Sequence, residues 1–188
     1  MTATVYLVRH ATPDWSRTDL RYDIPPGPPL TPAGEAEAAQ LGAFLQSEGI
    51  AHLYASPLDR THRTAVLAAE VADVPLSVVE EIAEWRRGES ESEVLERMLP
   101  FVETVLAKCV TAPQAIITHG GPIRLLLQHM GLDQAEVDFY RRQFDRDNPL
   151  PPAGVWRITR GSNGDLAKPQ LVFTPQGFTS YSPPVVYV

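Results

Sequence analysis

Four short apolar runs, at residues 5–8, 53–55, 76–79 and 115–118, constrain this chain more than any other feature. Each is uninterrupted and β-rich, the pattern of a strand covered on both faces, as strands are in a parallel sheet layered by helices. The segments between them carry helix signals. Thr31-Pro32 offers an N-cap with proline in the first turn, after which Ala38, Leu41, Phe44 and Leu45 recur on one face. Ser56-Pro57 repeats that start signal, with Asp59 placed to complement a helix N-terminus. Ser90 with Glu93 forms a capping box ahead of Val94, Met98, Val102 and Val105, and Pro100 is expected to bend or divide that helix. Pro122 opens a fourth helix through Leu125, Leu126 and Met130, and residues 155–158 and 170–173 add two late strands. The alternation predicts an α/β protein: a three-layer α/β/α sandwich with a mostly parallel central sheet.

The 188 residues, 44% hydrophobic and 21% charged, are enough for one core, so residues 1–188 are expected to form a single domain with an irregular tail from about residue 174. Prolines gather at 25, 26, 28, 29 and 32, at 149, 151 and 152, and at 183 and 184, marking two loops and the tail. A net charge of −7 argues against a surface for nucleic acid or anionic membrane, so an anionic ligand would need a local basic site. The lone Cys109 cannot close an internal disulfide, and no charged leader precedes the first strand; a reducing cytoplasm is the expected setting. No apolar stretch approaches the roughly 20 residues that cross a bilayer.

Ligands collect outside the C-terminal ends of parallel strands, where helix N-termini also point. Three such ends here are polar: Arg9-His10 after the first strand, Ser56 to Arg60 after the second, and His119-Gly120-Gly121 after the fourth. Two arginines, two histidines and backbone N–H groups at helix starts, Gly120 among them, form a receptor for a compact multiply charged anion, phosphate being the natural candidate. Neighbouring guanidinium groups would hold His10 neutral, and a neutral imidazole is a nucleophile.

Arg9-His10-Ala11-Thr12 resembles the Arg-His-Gly signature of the histidine phosphatase superfamily, also called the phosphoglycerate mutase-like family. Pro29-Leu30-Thr31 with Gly34 resembles its Pro-Leu-Thr-x-x-Gly segment, Ser56-Pro57-Leu58-Asp59-Arg60 with Thr64-Ala65 its second arginine motif, and Thr118-His119-Gly120-Gly121 its second histidine motif. The resemblance implies a phosphoglycerate mutase-like fold. It further implies that His10 takes the phosphoryl group, that Arg9, Arg60 and His119 surround the phosphate, and that Glu84 donates the proton, with Glu80, Glu81 and Glu89 as rivals for that role. Ser16 stands where the family commonly has a phosphate-holding asparagine, Ala11 replaces the usual glycine, and Arg21 is carried over as a substrate contact.

Preorganised arginines can stabilise a transferring phosphoryl group in place of metal ions, so neither metal nor cofactor is expected. The mutases of this family carry a Tyr-Gly-x-Leu-Gln-Gly stretch and a long covering insertion after the acid. Here Glu84 is followed by Trp85-Arg86-Arg87-Gly88-Glu89-Ser90 and then a short path to His119. Retaining a phosphorylated intermediate benefits from excluding water, so the short cover favours hydrolysis of a small phosphorylated substrate. A protein phosphohistidine phosphatase, a mutase and a catalytically silent phosphate-binding module are the alternatives. Trp15 and Trp85 either line the mouth or pack, Arg86-Arg87 reads as a solvated pair, His52, His62 and His129 as surface or packing residues, and Cys109 as a small buried hydrophobe.

Overall fold

The computed structural model describes residues 2–109, 111–144 and 148–177. Six strands form one sheet: β1 (Ala3–Arg9), β2 (Leu53–Ala55), β3 (Leu76–Val78), β4 (Gln114–Thr118), β5 (Val155–Arg160) and β6 (Gln170–Phe173), in the spatial order β3-β2-β4-β1-β5-β6. The pairs β3/β2, β2/β4 and β4/β1 are parallel, while β5 pairs antiparallel with β1 and β6 antiparallel with β5. Strands β1, β2, β3 and β4 therefore all end on one edge, and β6 runs in the same direction.

Alternation along β1 divides the core. Val5 and Leu7 face a cluster built with Val94, Met98 and Val102 of α3 (Glu91–Lys108), Ile123 and Leu126 of α4 (Gly120–His129) and Val137 of α5 (Gln134–Gln143). Tyr6 and Val8 face Ala38, Leu41 and Leu45 of α1 (Pro32–Ser47) and Ala65 and Ala68 of α2 (Asp59–Ala72). Helices thus cover both faces of the sheet, as the alternating pattern predicts, and both faces of β1 are buried. Among the described residues no helix is long and apolar enough to cross a membrane.

Three local expectations need correction. Ser56 does not cap α2; the helix starts at Asp59, with Leu58 as N-cap and no side-chain cap bond. Pro100 does not divide α3, which runs unbroken from Glu91 to Lys108. Pro100 and Glu96, whose carbonyl it deprives of a helix partner, are exposed residues, while Val94, Met98, Val102 and Val105 keep the buried stripe continuous. Helix α4 begins at Gly120, two residues before Pro122. The tail residues beyond Gly177 lie outside the described residues; just before them, the Gln176 backbone N–H donates to Gln40 Oε1 at 2.8 Å.

One glycine sets the position of the loop after β1. Thr31 caps α1, its hydroxyl accepting the Gly34 N–H at 3.0 Å while its own N–H donates to the Thr12 carbonyl at 3.0 Å. A Cβ on Gly34 would stand 2.2 Å from that carbonyl oxygen, a backbone atom that cannot turn aside. Gly34→Ala is therefore expected to push the Thr12 segment away from α1 and to destabilise the protein by about 1–3 kcal/mol. A lowered midpoint of urea unfolding measures this, and an unchanged midpoint would mean that the contact relaxes freely.

Candidate active site

The parallel register brings together the polar ends recognised in the sequence. Arg9 pairs with Thr118, so the next residues on each strand, His10 and His119, sit side by side with ring centroids 5.4 Å apart. Ala55 pairs with Ile117, which sets Ser56 beside them. Backbone bonds hold the loop after β1 from three sides: His10 N–H to Thr118 O at 3.0 Å, Ala153 N–H to His10 O at 3.1 Å, and Ala11 N–H to the Thr64 hydroxyl at 3.0 Å. That hydroxyl donates in turn to Arg60 O, which ties the loop to the first turns of α2.

His10, Arg60 and His119 are wholly buried, and Arg9 and Glu84 nearly so, at 3% and 7% exposure. Burial makes the hydrogen-bond pattern decisive, because each buried polar atom needs a partner. His10 Nδ1 lies 2.8 Å from Ala11 O, which can only accept, so Nδ1 carries the proton and Nε2 presents its lone pair. His119 Nδ1 accepts from Arg60 Nη2 at 3.0 Å, so its Nε2–H donates to the Ser56 hydroxyl at 2.8 Å. Burial first, then the Arg60 charge, hold both imidazoles well below the ordinary histidine range. Both effects favour a neutral His10 ring whose lone pair lies on Nε2.

Glu84 arrives by a different route. After β3, a 3-10 turn (Glu80–Ile82) leads to it, and the Thr118 hydroxyl ties that turn to β4 by donating to Ile82 O at 2.7 Å. Arg97 of α3 donates to the carbonyls of Glu81, Ala83 and Glu84 and to the Glu89 carboxylate. Glu84 Oε2 ends 3.1 Å from Arg60 Nη2 and 3.3 Å from His119 Nδ1. Burial raises the Glu84 pKa, against the opposing pull of Arg60. Among its rivals, Glu80 and Glu81 are exposed and Glu89 is paired with Arg97 at 2.6 Å, so Glu84 alone of the four reaches the cluster.

Arg9 donates from Nη1 to Leu150 O at 3.1 Å. Gly120 and Gly121, in the first turn of α4, line a cavity of about 580 Å³ together with Arg9, Glu84, Trp15 and Trp85. Both tryptophans are therefore mouth residues, and Arg124, Arg141 and Asn148 also line it. Ser16 and Arg21 are not brought to the cluster. The Ser16 hydroxyl donates to Asp14 at 2.6 Å, and Arg21, 59% exposed, makes a two-pronged pair with Asp23. Arg86 and Arg87 are exposed, as are His62 and His129, while His52 bonds the Ser77 hydroxyl and Cys109 is buried.

Sequence reasoning missed Tyr22. Its hydroxyl lies 3.0 Å from His10 Nε2, its ring stacks on Trp15 at 4.9 Å, and the Arg60 guanidinium sits 3.7 Å over the ring. Its one signal was an aromatic directly after Arg21 in a proline-rich loop. Ser56 was noticed at its strand end, but its role as partner of His119 was not.

A layered α/β fold that buries two imidazoles and two arginines at the edge of its parallel strands has the chemistry to receive an anion. Residues 5–92 and 84–149 match the Histidine phosphatase superfamily (branch 1), and the chain belongs to that superfamily. It is 31% identical over 153 residues to a probable phosphoglycerate mutase GpmB of Salmonella arizonae, covering 62% of this chain and 69% of that protein. Its fold is similar to that of a mycobacterial glucosyl-3-phosphoglycerate phosphatase, with a TM-score of 0.71 at 16% identity over 92% of this chain and 99% of the other. A phosphoglycerate mutase from Bacillus anthracis gives a TM-score of 0.69 at 15% identity, covering 91% and 92%.

Proposed function

We propose that the protein is a metal-independent phosphomonoester hydrolase working through a phosphohistidine at His10. The observation that carries this reading is the fixed tautomer of His10: Nδ1 is held by Ala11 O, which leaves the lone pair on Nε2, and the ring is buried together with Arg9, Arg60, His119 and Glu84. In the first step Nε2 attacks phosphorus, the N–P bond forms, and the bond to the leaving oxygen breaks as Glu84 delivers its proton to that oxygen. The arginines stabilise the charge spread over the transferring oxygens. In the second step the Glu84 carboxylate takes a proton from water. The water oxygen attacks phosphorus, the N–P bond breaks with its electron pair returning to Nε2, and phosphate departs.

Hydrolysis is favoured over group return by the short path from Glu84 to His119, which holds α3 and β4 and no covering insertion. The likeness to a protein named as a mutase keeps interconversion of phosphoglycerates as a second reading. The buried, unpaired Cys109 is in keeping with a reducing cytoplasm.

Incubation with a ³²P-labelled phosphomonoester and rapid quenching tests the assignment. Label on the protein, stable to alkali and lost in acid, is expected for the wild type and absent from His10→Ala. Label retained by His10→Ala overturns the nucleophile. Release of inorganic phosphate faster than exchange between phosphoglycerate isomers is the result expected of a hydrolase; the reverse order is that of a mutase, and no turnover of either kind is that of a silent binding module.

A further inference from the structure

We propose that Tyr22 is a built-in competitor for the phosphate site: in the resting site its hydroxyl hydrogen-bonds His10 Nε2, and it must give up that nitrogen to the incoming phosphoryl group, so that phosphate binding and release of Tyr22 are one event. This rests on the reading of His10 as phosphoryl acceptor.

Three observations carry it. First, the nucleophile is covered. His10 is 0% exposed, and the cavity above it is lined by Arg9, Glu84 and Tyr22 rather than by either histidine or Arg60. Second, the covering atom stands where chemistry must begin. An attacking nitrogen needs phosphorus within about 3–3.5 Å along its lone pair, and the Tyr22 oxygen occupies that approach at 3.0 Å. Because Nδ1 carries the proton, the phenol is the donor in this contact. Burial raises the Tyr22 pKa, which keeps the phenol protonated.

Third, the ties that hold Tyr22 end on groups that phosphate would engage. The hydroxyl is bound to His10, the backbone carbonyl accepts Arg60 Nη1 at 2.9 Å, and the ring lies under the Arg60 guanidinium at 3.7 Å. A phosphate that takes the His10 lone pair and turns Arg60 towards its oxygens weakens all three together. The stack on Trp15 is the tie it does not contest. The rest of the segment is anchored apart from Tyr22, by Asp14 N–H to Pro29 O at 2.7 Å and Asp59 N–H to Pro26 O at 2.8 Å, so Tyr22 can leave without unfastening the loop ends.

The consequence is quantitative. A competitor built into the site lowers the apparent affinity for every phosphate ligand by the same factor, the inverse of the fraction of molecules with Tyr22 withdrawn. Product phosphate is thereby expelled as readily as substrate is resisted. Tyr22→Phe keeps the ring, its stack and its place beneath Arg60, and removes only the hydroxyl. The expected result is a fall of roughly three- to tenfold in KM for an aryl phosphate and an equal fall in the inhibition constant of inorganic phosphate, the worth of about one hydrogen bond. Unchanged values of both overturn the proposal, and so does a large loss of kcat at constant KM, which would make the hydroxyl a donor to the transition state.

A second measurement needs no turnover. In protein labelled with ¹³C at tyrosine Cζ, the Tyr22 resonance is identified by its absence from Tyr22→Phe, and titration with inorganic phosphate or vanadate is expected to shift it in step with binding measured by calorimetry. Binding that leaves this resonance in place overturns the proposal. A protein that binds phosphate and moves Tyr22 without hydrolysing anything would instead overturn the catalytic reading and leave the displacement intact.

Discussion

Arg60→Met is expected to lower kcat/KM for a phosphomonoester by roughly 10³-fold or more, the loss typical of removing a preorganised charged donor. The guanidinium is wholly buried and serves Glu84, His119 and the Tyr22 carbonyl at once, at 3.1, 3.0 and 2.9 Å. Methionine approximates its volume but leaves the Glu84 carboxylate and His119 Nδ1 without their shared donor. Breaking a buried pair in this way destabilises by about 3–5 kcal/mol, so unfolding by urea must be measured beside the kinetics. Arg60→Lys separates the two effects. It keeps the charge but not the planar fork, and it is expected to remain folded while still losing most of the activity. Activity within a few-fold of wild type in Arg60→Lys would show that charge alone suffices and would remove the case for a forked clamp.

Glu84→Gln is expected to slow alkyl phosphates by about 10²–10⁴-fold while aryl phosphates, whose leaving oxygens need little protonation, lose far less. Equal losses on the two substrate classes would move the acid to another group. The pH profile adds a sign. Burial raises the Glu84 pKa, so the protonated acid persists above the usual carboxylate range, and activity on alkyl phosphates falls as pH rises through that raised value. Burial and the Arg60 and Arg9 charges lower the His10 pKa, so the nucleophile is lost to protonation only below the ordinary histidine range. Glu84→Gln is expected to abolish the alkaline limb for alkyl phosphates and leave the acid limb in place.

Much of this site was legible because strand ends advertise themselves. Arg9-His10 and His119-Gly120 each close a buried apolar run, and a parallel sheet has one edge on which both can end. Glu84 was harder, since four carboxylates compete in sequence and only the Arg97 anchorage selects among them. Tyr22 was invisible because its contact with His10 joins a strand end to the interior of an irregular loop, where no period reports which side chain turns inward. The same loop misled in the opposite direction: Ser16 and Arg21 occupy family positions, yet each finds an aspartate two residues away and stays at the surface. Helix α5 escaped notice although Asp133 and Glu136 form a capping box, because Val137 is its one fully buried side chain and so thin an apolar stripe carries no helical period.

The anchorage of the acid has a consequence for how such a protein can change. The imidazoles are fastened to the sheet, whereas the Glu84 segment, besides the Thr118 bond that ties its turn to β4, hangs from α3 through Arg97. Alterations confined to the α3 side could therefore retune which leaving groups are tolerated while the attacking nitrogen keeps its aim. Nucleophile and acid share the tie to β4, but the acid's second anchor is its own and can diverge at its own speed.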